Sequence, residues 1–318
     1  MPLDQHFARW LKEAADNAPD VSHLDAFERR TISDRANMAI QRPAKDYPVA
    51  EVKALTMPGA DGPMALRLYY PIVHGSTTSR PVTVFLHGGG FVTGTLESYD
   101  LICRALCRAS KTIVAAVDYR LAPEHPFPAA PDDALAAVRF IGERAGDFGG
   151  DPERLAVAGD SAGGLLAALV ALRVRDEGGP ALRGQCLLYP MIDMSMQGTA
   201  SLSRYATGYG FTREARDWYI AQYLQQSQDH EHPFNRLLNR EDLEGLPPAM
   251  VMTAEFDPVC DEGVQYARQL AEQGVLTRHS HYYGMTHAFI RRLGQHQQAD
   301  QAIDECGSWL RRVLLYPS

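Results

Sequence analysis

Residues 154–172 read RLAVAGDSAGGLLAALVAL, an apolar run that breaks at Gly-Asp-Ser-Ala-Gly-Gly and resumes at once. A buried strand passing into a buried helix with no loop between them is half of a βαβ unit, and such units build parallel sheets with helices on their faces. The same rhythm recurs along the chain. VTVFLH (82–87) precedes a helical pattern near 98–109, TIVAAVDY (112–119) one near 130–144, and RLAVAG (154–159) one near 162–176, with QCLLYP (185–190) following. It resumes with AMVMTAE (249–255), a helix near 259–273, LTRHSHYY (276–283) and a closing helix near 299–314. Upstream, EVKALTM (51–57) and MALRLYY (64–70) alternate as strands about a PGADGP turn. The expected fold is α/β, a mostly parallel central sheet covered by helices on both faces.

Two stretches interrupt the pattern. Residues 1–45 read as helical and precede the first strand. Residues 194–246 hold Met194, Met196, Tyr205, Tyr209, Phe211, Trp218, Tyr219 and Tyr223 but no convincing strand. The expected division is a core at 46–193 and 247–318, with an N-terminal helical cap segment (1–45) and a cap insertion (194–246).

Gly159, Ser161 and Gly163 form a G-x-S-x-G pattern at the strand-to-helix turn. A turn that sharp strains the backbone of its central residue and raises the hydroxyl above the sheet edge, as a nucleophile requires. The helix that follows aims its first N–H groups at the reacting centre. LHGGGFVTG (86–94) leaves another strand at the same carboxyl edge, and its glycines let bare backbone reach a substrate carbonyl. The spacing fits neither phosphate-binding glycine pattern. Gly89, Gly90 and Ala162 are the expected amide donors to a tetrahedral oxyanion. His87 reads as a prop for this loop rather than a base.

HGGGF (87–91), YRLAPEHPFPAA (119–130), GDSAGG (159–164), DPVCDEG (257–263) and HAF (287–289) follow one another in that order. Together they resemble the bacterial hormone-sensitive-lipase-like carboxylesterases, family IV of the α/β-hydrolase fold. The resemblance runs from about residue 50 to the C-terminus, and the helical N-terminus fits it. It implies a Ser-Asp-His esterase with an HGGG oxyanion loop, no metal or cofactor, and a cap built from the N-terminal helices and an insertion. An aspartate beside the serine is ordinary in this family, so Asp160 is not expected to be the triad acid.

The chain order of this fold is serine, acid, histidine. His279 and His281 sit two apart within a strand and share one sheet face, whereas His287 follows that strand's carboxyl end, where Gly284 permits a turn; His287 is the expected base. Asp257 follows AMVMTAEF at a strand end and matches the family's acid, while Asp193, after QCLLYP, is a competing choice. Asp257 also suits a helix N-cap with Pro258 at the first helical position. Asp261 and Glu262 read as helix-start acids. Phe91 and Phe211 are expected to line the substrate pocket.

Acyl transfer from a short- to medium-chain small-molecule ester to water is the expected reaction. An arylformamidase-like amide hydrolase would use the same residues. A non-catalytic binding protein, as in plant gibberellin receptors that lost the histidine, fits less well, because serine, acid and histidine are all present here. A net charge of −8 offers no basic stripe for nucleic acid, and no apolar run approaches the ~18 residues needed to cross a bilayer. The cysteines at 103, 107, 186, 260 and 306 read as free, packed thiols. With no signal-peptide core in the first residues, a cytoplasmic location is expected. An exposed last strand would allow a homodimer.

Overall fold

The structure, a computed structural model, describes residues 1–318 apart from 18, 20, 22, 74–78, 196–197 and 317–318. The strands are β1 (Glu51–Gly59), β2 (Gly62–Tyr70), β3 (Arg80–Leu86), β4 (Ile113–Val117), β5 (Gly150–Asp160), β6 (Leu182–Leu188), β7 (Ala249–Phe256) and β8 (Thr277–Thr286). They form one sheet in the order β1-β2-β4-β3-β5-β6-β7-β8. β1 and β2 form an antiparallel hairpin, with Gly59 paired to Gly62, and β2 runs antiparallel to β4. From β4 to β8 each neighbour is parallel.

The helices are α1 (Gln5–Asp16), α2 (Ala26–Ala39), α3 (Asp100–Ser110), α4 (Ala129–Arg144), α5 (Ala162–Asp176), α6 (Ala200–Arg204), α7 (Arg213–Tyr223), α8 (Cys260–Glu272) and α9 (Gln297–Leu315). Alternation within the strands divides the core into two layers. Val82, Val84, Leu86, Leu155 and Val157 face one layer, with residues of α4, α5 and α8. Phe85, Val114, Ala116, Ala156 and Ala158 face the other, with residues of α3 and α9. Burying each large aliphatic side chain is worth roughly 1.5–3 kcal/mol. α5 is buried on every side from Ala162 to Leu172, which explains why its sequence shows no polar face.

The two interrupting stretches lie against the core by specific bonds. Asp25 and Glu28 cap α2 reciprocally. Arg30 of α2 donates to the carbonyls of Val92 and Ala122 at 2.5 and 2.8 Å and pairs with Glu124. Asp34 accepts the Gly94 N–H at 3.0 Å. In the second stretch, the buried Arg216 of α7 donates to the Asp193 and Ser195 carbonyls and faces Glu262 of α8 at 3.5 Å. Glu262 also accepts the Ile192 and Asp193 amides, and Asp261 accepts the Ser201 amide. These acids therefore bind the chain after β6 besides starting α8. Met194 is buried, whereas Met196 lies outside the described residues.

Two expected details change. β8 runs to Thr286, so Gly284 (φ +77) lies within the strand instead of at a turn, where the β7–β8 register shifts and Glu255 accepts the Gly284 N–H at 2.7 Å. α8 begins at Cys260, so Pro258 precedes the helix, and Asp257 accepts the Val259 N–H in a local turn.

The crossing of β5 and α5 over β3 leaves no room for side chains. A Cβ on Gly159 would lie 2.1 Å from the Gly163 carbonyl oxygen, and one on Gly163 would lie 2.0 Å from that of Leu86. Gly163→Ala is therefore expected to cost about 1–3 kcal/mol, in the range of core overpacking. Chemical denaturation checks it, and a variant within ~0.5 kcal/mol of the parent contradicts this account of the crossing.

Candidate active site

Ser161 stands between β5 and α5 with φ +56 and ψ −121, a conformation that non-glycine residues rarely adopt. Its N–H donates to the Leu188 carbonyl at 2.9 Å, and its carbonyl accepts from Gly164 and Met191 at 2.9 and 3.2 Å. These bonds fix the strained turn to β6 and to the start of α5. His287 directly follows β8, and Asp257 directly follows β7. The Ser161 hydroxyl donates to His287 Nε2 at 2.8 Å, and His287 Nδ1–H donates to Asp257 Oδ2 at 2.7 Å. The second Asp257 oxygen accepts the Val259 N–H at 3.0 Å, so this fully buried carboxylate is aimed by its own turn. The three residues form one connected relay able to take a proton from the hydroxyl as it attacks.

Asp193 does not join it. Its Oδ1 accepts the Ser195 N–H at 2.5 Å, beside the anchored Arg216. His279 and His281 both hydrogen-bond to Thr253 on one sheet face, at 2.9 and 2.8 Å, away from the strand end.

Asp160 answers a different need. Its Oδ1 accepts the Gly88 N–H at 2.7 Å, and its Oδ2 accepts the hydroxyls of Tyr99 and Tyr189 at 3.1 and 3.4 Å. The residue beside the serine thus ties the glycine loop to the serine turn. Burial pushes its carboxyl pKa up, opposed by the charge of Arg291 and the Gly88 N–H. His87 braces the loop from the other side. Its Nδ1–H donates to the Gly88 carbonyl at 2.8 Å, its ring stacks on Tyr119 at 4.3 Å, and the Tyr119 hydroxyl donates to the His87 carbonyl at 2.6 Å. Held this way, Gly89 (φ +117) adopts backbone that a side chain would obstruct, a Cβ there falling 2.1 Å from the Thr93 carbonyl oxygen. Among the described residues the N–H groups of Gly89, Gly90 and Ala162 have no protein acceptor. Gly89 and Gly90 border the same cavity as Ser161 and His287.

That cavity measures about 120 Å³. Met191, Phe211 and Tyr219 form apolar walls, and Phe211 stacks on the His287 ring at 4.5 Å. Phe91 is placed elsewhere, contrary to expectation. Its φ of +64 turns the ring into the core, where it stacks on Tyr223 at 4.0 Å with 1% of its surface exposed. Sequence reading missed Tyr219, Met191, Ser33, Asn37 and Arg291, which also line the cavity. They come from separate segments, and nothing in their local sequence distinguishes them. Tyr119 was legible only as part of the YRLAPEHPFPAA motif, and Tyr99 had no signal at all. Among the described residues no His, Cys, Asp and Glu cluster could hold a metal ion, all five cysteines are free and buried, and no helix is long and apolar enough to cross a membrane.

Comparison with known proteins agrees with this fold. Residues 83–291 match the family described as alpha/beta hydrolase fold. The carboxylic ester hydrolase LipN of Mycobacterium tuberculosis is 43% identical over 246 residues, 76% of this chain and 64% of LipN. The ethyl acetate hydrolase of Pseudomonas putida is 34% identical over 95% of this chain and 96% of its own length. The structure of a hyperthermophilic esterase from the archaeon Pyrobaculum calidifontis superimposes with a TM-score of 0.92 at 34% identity, covering 98% of both chains.

Burial pushes the His87 imidazole pKa down to about 4, so the folded protein holds this ring neutral while the unfolded chain protonates it near pH ~6.5. Its stabilising contribution is complete above that pH and disappears as pH falls toward 4. The pKa difference corresponds to on the order of 3 kcal/mol. Melting temperatures of wild type and His87→Asn across this window check it. The variant is expected to start lower at pH 7 and to lose less on acidification; parallel curves would contradict the assignment.

Proposed function

The chain belongs to the α/β-hydrolase fold family, among its hormone-sensitive-lipase-like carboxylesterases, and from that premise we propose that Ser161, His287 and Asp257 are its catalytic triad. It is a carboxylic ester hydrolase. The observation that carries the assignment of residues is the unbroken hydrogen-bond chain from Asp257 through His287 to Ser161, at 2.7 and 2.8 Å.

In this reading the Ser161 Oγ attacks the ester carbonyl carbon while His287 Nε2 takes its proton. Asp257 holds the imidazole in the tautomer that accepts at Nε2 and stabilises the imidazolium that forms. Charge then develops on the former carbonyl oxygen. The free amides of Gly89, Gly90 and Ala162 receive it, each such donor contributing roughly 2.7–4 kcal/mol at the transition state. The imidazolium returns the proton to the departing alcohol, leaving an acyl-serine. Water, activated by the same imidazole, releases the acid through a second tetrahedral intermediate. No step calls for a metal or cofactor.

The cavity supports short acyl substrates. Its volume of about 120 Å³ is well below the ~300–1,000 Å³ of pockets that enclose drug-sized ligands. The Pseudomonas relative, named an ethyl acetate hydrolase, points the same way. Residues 1–45 and 194–246 act as the cap in this reading, because α2 and α7 supply cavity walls. A cytoplasmic location is part of this reading; among the described residues no helix is long and apolar enough to cross a membrane. β8 at the sheet's end leaves a strand edge that supports a homodimer.

A p-nitrophenyl ester series from acetate to palmitate tests the function. We expect an optimum at six carbons or fewer and loss of about 10⁴-fold or more in kcat/KM for Ser161→Ala. Activity in the alanine variant equal to wild type would overturn the triad. Asp257→Asn is expected to lower kcat by about 10⁴ with little change in KM, whereas Asp193→Asn stays within threefold. N-formylkynurenine serves as the amide comparison; faster turnover of it than of the best ester would move the reading to an arylformamidase-like enzyme.

A further inference from the structure

One corner of the cavity has no part in the triad chemistry. Arg291, on the helical turn Phe289–Arg292 just after His287, borders the cavity with Ser33 and Asn37 of α2. Its guanidinium lies over the Tyr99 ring, 4.3 Å from the ring centre. Among the described residues it makes no side-chain hydrogen bond and no ion pair within 4.0 Å. The nearby charges are otherwise engaged. Arg30 is held by Glu124, Asp34 accepts from Gly94, and Asp160 accepts from Gly88 and Tyr99. Among the described residues the Asn37 amide reaches only the Ser33 hydroxyl, at 3.4 Å. A cation with up to five N–H donors therefore faces the catalytic cavity with its hydrogen-bonding capacity unspent.

Neutral short esters have nothing to meet this corner. Their acyl and alcohol chains are served by Met191, Phe211 and Tyr219, and their carbonyl by the glycine amides. Resting on the hydrolase reading above, we propose that Arg291, helped by Asn37, forms a subsite for a carboxylate carried by the substrate, so that the preferred substrates are short half-esters or acyl esters of small hydroxy acids. A guanidinium meets a carboxylate through two parallel charge-assisted hydrogen bonds, stronger and more directional than neutral contacts. The contact with the Tyr99 ring holds the guanidinium in place before binding, which reduces the ordering cost. Burial opposes the arginine's charge, but the surrounding Tyr99, Asp160, Tyr189 and Asp34 hold its pKa above the ordinary value, so it stays cationic. The same two carboxylates repel an incoming anion, and the proposal requires the direct contact to outweigh them.

The test uses isosteric pairs in which a carboxylate replaces an isopropyl group. Monoethyl succinate is compared with ethyl 4-methylpentanoate, and carboxymethyl acetate with isobutyl acetate, which places the charge on the acyl or the alcohol half. We expect wild type to favour the carboxylate member of at least one pair in kcat/KM. Arg291→Met should lower that carboxylate-to-neutral ratio at least tenfold, with Arg291→Lys retaining part of it and Asn37→Ala lowering it two- to fivefold. Melting temperature verifies folding of each variant. Rejection of both carboxylate esters by wild type, or an unchanged ratio in Arg291→Met, overturns the proposal. So does an equal loss on both members of a pair, which would assign Arg291 to supporting Tyr99 and Asp160. Failure of the hydrolase reading looks different, since then wild type and Ser161→Ala would not differ on the neutral esters.

Discussion

The backbone of Ser161 is the constraint on which the rest of this molecule depends. A non-glycine residue at φ +56 costs on the order of 1–3 kcal/mol and persists only where its surroundings leave no alternative. Here the alternative is removed from three sides. The Leu188 carbonyl receives the Ser161 N–H, the Met191 N–H takes its carbonyl, and α5 packs so closely on β3 that only glycine fits at 163. The sheet therefore holds the Ser161 hydroxyl in place, and α5, buried on all sides, supplies the apolar energy that keeps the strained turn closed.

Asp160 extends that constraint to the glycine loop. A carboxylate one residue from Ser161 could be mistaken for a catalytic acid, yet both its oxygens are committed to Gly88, Tyr99 and Tyr189. One carboxylate thereby ties the Ser161 turn to the loop that carries the Gly89 and Gly90 amides. Precision at this point matters, because amide donors act only when aimed at where charge develops. His87 and Tyr119 complete the frame, with the histidine kept neutral by burial so that it can serve as a rigid hydrogen-bonding strut.

The helical additions close the site by polar tethers as well as by apolar packing. Arg30 and Asp34 bind α2 to the loop that carries Gly89, and Arg216 binds α7 to the segment after β6. Tyr219 consequently lies directly on Gly90, where a Cβ would meet its ring at 2.4 Å. The helical addition and the glycine loop are one surface, so in the proposed mechanism the wall that meets the acyl group is built on the loop whose amides face the developing charge.

By itself the sequence determined the features that are local. Alternating strands and helices, the serine turn, the HGGG loop and a histidine just past a strand end are each written within a few consecutive residues, because their physical requirements are local: period-two burial, missing Cβ atoms, a strand terminus. Tertiary structure alone decided what depends on convergence. Asp193 and Asp257 both follow strands; the motif resemblance favoured Asp257, but only the fold brings its carboxylate within 2.7 Å of the His287 ring. Phe91 neighbours the glycine loop in sequence, but a positive φ sends its ring into the core. Arg291, Asn37 and Tyr219 come from distant segments and carry no local signature, since a shared cavity is defined by which surfaces meet, and that is settled by packing over the whole chain.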